Sequence, residues 1–205
     1  MSRAHKCSTT DREIGALRGL RRVFVGNHRE LATSLSVLKD PGKWLPLWSV
    51  DGALQPYLDN LDRLLFNYLA SGYSMSASAW KIRDRVGGDL VFPDYAARNP
   101  YTKPGLTSFV FELRHVAQHD RVTVSAARIS MERLEGEIGF KDGPDFFLSL
   151  EQLRWLRYKS AEKAAFLETL TTDLSLGTII AGFTPELLTF IDWFIGELIT
   201  VAGGQ

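Results

Sequence analysis

Residues 108–121 read SFVFELRHVAQHDR, and the period of this stretch decides the fold. Leu106, Phe109, Val110, Leu113, Val116 and Ala117 recur at helical spacing, which lines one face of a helix and requires a core beneath it. At roughly 100° of rotation per residue, Arg114, Phe111, Gln118, His115 and His119 follow one another around the opposite face, with Glu112 beside His119. A phenylalanine in the middle of a charged face does not suit a solvated helix. Phe111 therefore predicts that something covers this face, and a second subunit is one candidate.

Upstream, a second long helix is expected from Asp51, burying Leu54, Tyr57, Leu58, Leu61, Leu64, Leu65, Tyr68 and Leu69 and stopped by Gly87 and Gly88. Asn67, Ser71, Ser74 and Ser78 draw a line of small polar groups along it, and Gly72 is expected to be tolerated in its interior at about 1 kcal/mol. Before it, Ile14, Leu17, Phe24, Leu31, Leu35 and Leu38 predict a helix over Asp11–Lys39, with Arg21 and His28 at two positions of the same stripe. Its excess of arginines reads as a solvated face with long side chains lying over apolar surface, an RNA-binding stripe being the alternative. Residues 1–10 are polar and aperiodic and read as a disordered leader. Asp40, Pro41 and Gly42 end the first helix. The WLPLW run that follows reads as a packed loop, its Trp44 and Trp48 closing the bundle end. Between Asp89 and Gly105 lies a long loop with Phe92, Tyr95 and Tyr101 that leads straight into the 108–121 helix. Loops of this length inside compact domains tend to carry function, so a substrate-contacting lid is expected.

After Asp120 the period becomes two. Val122 and Val124, Ile129 and Met131, and Ile138 and Phe140 alternate with polar residues about Glu135 and Gly136, predicting an antiparallel hairpin over about 122–142. A turn at 142–145, containing Gly143 and Pro144, should lead out of it. Ser149 with Gln152 three residues on resembles a capping box, so a helix starts near Leu150 and buries Leu153, Leu156, Ala164, Leu167, Leu170 and Leu174. The last helix opens with Thr184 as N-cap and Pro185 as first residue, burying Leu187, Leu188, Ile191, Phe194, Ile195 and Leu198. The expected fold is mostly α, a helical bundle formed as one domain over 11–205, with the hairpin as an appendage.

With 45% apolar residues, 205 residues can bury a sizeable core. Basic and acidic residues balance at 24 each, so no general attraction to polyanions follows, and any nucleic-acid contact must be local. The single cysteine, Cys7, excludes an internal disulfide and fits a reducing compartment. No apolar run of signal-peptide length follows the N-terminus. The apolar stretch Leu187–Ala202 is interrupted by Asp192 and Glu197, which argues against a membrane span. A cytoplasmic protein with no membrane partner is expected.

Arg114 and His119 are the residue types that metal-free RNA cleavage requires. A neutral imidazole can take the proton of a ribose 2′-hydroxyl, while a guanidinium holds the phosphate and offsets its developing charge. Spacing alone assigns nothing, since on an ideal helix the two point roughly 140° apart. A metal is not expected: Glu112 and His115 have the spacing of a di-iron half-site, but no second Glu-x-x-His exists, and His115 is followed by valine rather than the glutamate of a zinc hydrolase. No glycine-rich phosphate loop or nucleophile elbow occurs, and no cofactor is called for.

The run RHVAQH, 114–119, resembles the Arg, polar residue, three variable residues, His signature of the HEPN superfamily (higher eukaryote and prokaryote nucleotide-binding domains), with His115 in the polar place. LFNYLASGYSM, Leu65 to Met75, resembles the earlier core helix of some bacterial members. The resemblance implies an antiparallel bundle forming a homodimer, in which Arg114 and His119 of both subunits line one cleft as a metal-independent ribonuclease. It implies a toxin, stress or phage-defence setting and allows a cognate antitoxin or defence partner. His119 would then be the proton acceptor and Arg114 the phosphate-binding group. His115 would position the phosphate or donate a proton to the leaving oxygen, and Asn67, Gln118 and Arg121 would contact the RNA. The Asn67 to Ser78 line should face the Arg114 helix. The alternative is a non-catalytic HEPN-like module that binds RNA, a nucleotide or a partner protein.

Overall fold

Three long helices, α1 (Arg3–Ser36), α3 (Leu54–Val86) and α8 (Leu176–Gly203), pack against one another, and the shorter α5 (Leu106–His119) lies against α3 and α8. The computed structural model describes residues 3–119, 124, 126–134, 137–156 and 161–203, with side chains at 10–117, 124, 145–156 and 165–203. The architecture is mostly helical with a small antiparallel sheet, as the periodicities require.

α1 buries Ile14, Leu17, Phe24, Leu31 and Leu38. On the same stripe, Arg21 donates to both carboxylate oxygens of Asp192 on α8, at 2.6 and 2.8 Å, and His28 lies 6.2 Å from the ring of Tyr68. The helix is already running at Arg3, through the stretch expected as a disordered leader; residues 3–10 hold no glycine or proline to stop it. Burial pushes the His28 pKa below the ordinary histidine value, with Arg29 adding to the shift. The folded state therefore favours neutral His28, and its stability is full above the ordinary histidine range and lost as pH falls through it. His28→Gln is expected to flatten the stability profile between about pH 7 and pH 5, read by denaturant midpoints; an unchanged slope would remove His28 as its source.

The tryptophan segment expected as a loop is a helix, α2 (Pro41–Ser49). Asp40 closes the preceding turn and also caps the new helix, its Oδ1 accepting from the Gly42 amide at 3.0 Å. Pro41 occupies the first helical position, where no donor is needed. Trp44 is buried, and Trp48 sits edge-on to it and stacks on Phe146, so the pair does close the bundle end.

The hairpin consists of β1 (Ala126–Leu134) and β2 (Glu137–Leu148), paired antiparallel from Leu134 and Glu137 outward. Glu135, Gly136 and Val122 of the expected hairpin lie outside the described residues. The turn expected at 142–145 is not a turn. β2 runs through it, and the register slips there twice: Arg128 pairs Asp145, Ser130 pairs Asp142 and Met131 pairs Phe140, so β2 carries one extra residue about Gly143 and Pro144 and another at Lys141. A bulge is where a strand accommodates a proline that lacks an amide donor.

The single helix expected from Leu150 to Leu174 is divided. α6 (Leu150–Trp155) starts where the capping box places it, with Ser149 Oγ accepting from the Gln152 amide. α7 is Ala161–Glu168, and Leu174–Ser175 form a short third strand, β3, on β2. The reason is closure: the Leu150 amide donates to Asp173 Oδ1 at 2.9 Å, and a straight helix over that span would hold its ends roughly 35 Å apart.

α8 begins at Leu176, not at Thr184. Leu176, Ile179 and Phe183 are buried ahead of the proline, so packing sustains the helix upstream. Thr184 is no cap. Its hydroxyl shares a 2.7 Å hydrogen bond with Tyr68 Oη in the core, and Pro185 costs the bond to the Ala181 carbonyl. By length and composition α8 could cross a membrane; in this fold Ile179, Phe183, Leu187, Ile191, Phe194 and Leu198 fill the bundle core.

Gly72 sits where α1, α3 and α8 converge. A Cβ there would meet Phe183 Cε1 at 2.9 Å and Phe24 Cε2 at 3.2 Å, so packing requires the glycine rather than merely tolerating it. Alanine favours a helix interior by about 1 kcal/mol, whereas overpacking between fixed rings costs about 1–3 kcal/mol. Gly72→Ala is expected to destabilise by up to about 2 kcal/mol, read by denaturant unfolding; a gain in stability would show that the rings yield.

Candidate functional site around Arg114

α5 is buried nearly all round along its first half. Thr107, Ser108, Phe109, Val110, Phe111, Glu112 and Leu113 are all buried, and Thr107 Oγ1 donates to Glu186 on α8 at 2.5 Å. Phe111, expected under a second subunit, is 2% exposed within this one chain. Phe183 meets it edge-on at 5.1 Å from one side, and Tyr101 at 5.3 Å. The cover is intramolecular, so Phe111 gives no argument for a dimer.

Arg114 follows one turn later, where the helix becomes half-exposed. Its guanidinium carbon lies 4.3 Å from the ring centroid of Tyr73 on α3, a cation–π contact worth about 0.5–1 kcal/mol. Its Nε is buried and has no hydrogen-bond partner. Among the described residues it has no carboxylate partner either. A buried guanidinium N–H without an acceptor is unusual, and because that atom has no accessible surface, only the remainder of the half-exposed side chain is open to a ligand.

His115 is half-buried and already engaged, as is the buried Glu112. The backbone of α5 continues to His119, but the side chains of Gln118 and His119, and all of Arg121, lie outside the described residues. From the helix alone, Arg114 and His119 start roughly 7.5 Å apart along the axis and roughly 140° apart around it. Among the described residues, no three of His, Cys, Asp and Glu come together.

The small polar line on α3 does not face Arg114. Tyr73 carries that contact, and Asn67 lies six residues away, roughly 120° round the helix and 9 Å along it. The Asn67 carbonyl accepts instead from Asn27 Nδ2 of α1 at 3.2 Å, and Ser71 Oγ bonds back to the Tyr68 carbonyl. Of that line, Asn67 lies beside α1, and Ser74 is exposed with its hydroxyl on the Ala70 carbonyl of its own helix.

Beside Arg114 opens a cleft of about 220 Å³. Tyr73 and Trp80 of α3, Phe111 of α5 and Tyr101 of the 89–105 segment wall it, with Asn99 and Lys81 supplying polar groups. That segment is built, not open: α4 (Tyr95–Arg98) plugs Tyr95 against Phe190 and Phe194 of α8. Burial pushes the Tyr95 hydroxyl pKa well up, and Arg83 lies against both Trp80 and Tyr95 while pairing with Asp84 and Asp89. Asn99 caps the next turn, its Oδ1 accepting from the Tyr101 amide at 3.0 Å. Sequence reasoning noted Tyr101 in the loop but missed Tyr73, Trp80 and Asn99. The one available signal was that Tyr73 lies inside LFNYLASGYSM. No family profile, curated protein or solved structure matches the chain.

Proposed function

We propose that the chain is a metal-independent endoribonuclease of the HEPN type, acting in a toxin, stress or phage-defence role. The observation that carries the reading is Arg114: a half-exposed arginine laid on Tyr73 with no carboxylate partner among the described residues, five residues before His119 in the RHVAQH run. In the proposed reaction His119 takes the proton of a ribose 2′-hydroxyl, and the oxygen attacks the adjacent phosphorus. The bond from phosphorus to the 5′-oxygen breaks, and that oxygen leaves with a proton supplied by His115 or water. Arg114 offsets the charge gathering on the phosphate. Because positions 114 and 119 are roughly 140° apart on an ideal helix, Arg114 of one copy and His119 of the partner subunit act together across a homodimer. Purified protein incubated with RNA in chelator should release fragments with 2′,3′-cyclic phosphate and 5′-hydroxyl ends. Intact RNA overturns the reading. The aromatic cleft favours a second reading, a module that binds RNA or a nucleotide without cutting it, and binding without products would assign that one.

A further inference from the structure

We infer that the cleft walled by Tyr73, Trp80, Phe111 and Tyr101 seats a single nucleobase of the RNA, next to the phosphate held by Arg114. The inference rests on the ribonuclease reading for the polymer it names, while its geometry comes from the cleft. Its volume of about 220 Å³ falls below the roughly 300–1,000 Å³ of sites that enclose a whole drug-sized ligand, so it takes one flat ring system rather than a complete nucleotide. Aromatic walls are the sequence-tolerant way to hold a base, since every base has a π-face. Trp80 and Tyr101 are 46% and 39% exposed, so both residues reach solvent at the opening.

The polar groups fit the same ligand. Asn99 is 2% exposed and lines the cleft, and its Oδ1 is occupied by the Tyr101 amide. That leaves Nδ2 as the donor of this cleft-lining side chain, and a base presents carbonyl or ring-nitrogen acceptors to such a donor. Lys81 stands exposed at the cleft. Tyr73 is the hinge of the argument, because the ring that walls the cleft also carries the Arg114 guanidinium. A base in the cleft therefore leaves its own backbone phosphate in the neighbourhood of the Arg114 side chain.

The test uses the full chain carrying His119→Ala, so that no ligand is consumed, with fluorescent hexauridylate and an abasic hexamer of the same length and charge. The unmodified cleft should bind the base-bearing oligomer about tenfold more tightly. Trp80→Leu and Asn99→Asp should each bring the two oligomers close to equal affinity, with melting temperatures showing the fold intact. Comparing base-bearing with abasic ligand removes the effect of the charge that Asn99→Asp adds, which acts on both. Equal affinity of the unmodified cleft for the two oligomers overturns the inference, as does discrimination that survives both substitutions, or no oligonucleotide binding at all. Cleavage is scored separately on protein that retains His119. Discrimination without cleavage keeps the base seat and removes the ribonuclease reading; cleavage without discrimination does the reverse.

Discussion

RNA should remain intact with Arg114→Ala or His119→Ala protein at concentrations where the parent chain degrades it, each substitution lowering the rate by roughly 100-fold or more. That is the low end of what a positioned general base contributes, and it is comparable to losing one charge-stabilising donor at a reacting centre. The two losses have different side effects. Arg114→Ala also removes the cation–π contact with Tyr73, worth about 0.5–1 kcal/mol, so a fall of a few degrees in melting temperature accompanies it. Arg114→Lys keeps the charge and loses the planar fork, and should recover stability more fully than rate. The divergence of the two residues on α5 yields a sharper test. Mixing Arg114→Ala with His119→Ala subunits rebuilds one complete site in each mixed dimer, so cleavage should return to a fraction of the parent rate. Mixed dimers that form and stay inactive would sink the shared cleft, and single variants as active as the parent would sink the ribonuclease itself.

Phe183→Ala should remove about 3–5 kcal/mol of stability, the range for deleting a buried phenylalanine. The ring is 1% exposed, meets Phe24, Tyr68 and Phe111 edge-on at 6.0, 5.7 and 5.1 Å, and lies over Gly72. Its removal leaves Phe24, Tyr68 and Phe111 without the neighbour they share. The loss therefore spreads to the placement of Phe111 and with it to the wall of the cleft beside Arg114. Denaturant unfolding measures the first effect, and weakened oligonucleotide binding in protein that remains folded measures the second. A loss below about 1 kcal/mol would mean that the core relaxes around the hole.

The helix α5 owes its legibility in the sequence to a local cause. Leu106, Phe109, Val110, Leu113 and Val116 announce α5, and Arg114 falls where the helix emerges to solvent. What the period cannot supply is the identity of the cover. Phe111 looked like a residue awaiting a second subunit because its actual neighbours, Phe183 and Tyr101, come from a distant helix and a separate loop. The cleft was hidden for the same reason: Asn99 reads as a turn residue and Trp80 as one more helical aromatic until the chain brings both beside Tyr73.

By itself, then, the order of residues determined the elements whose causes are local. Helical spacing set α1, α3 and α5, Ser149 set the start of α6, and alternation set the hairpin. Where distant segments compete for the same chain, only the tertiary structure decided. Burial of Leu176, Ile179 and Phe183 carried α8 upstream past its proline, and the bond from Leu150 to Asp173 divided a stretch that its own periodicity would have kept whole. Local propensities are worth tenths of a kcal/mol per residue, whereas each buried aromatic or leucine is worth about 1.5–3 kcal/mol. Where the two disagreed, packing prevailed.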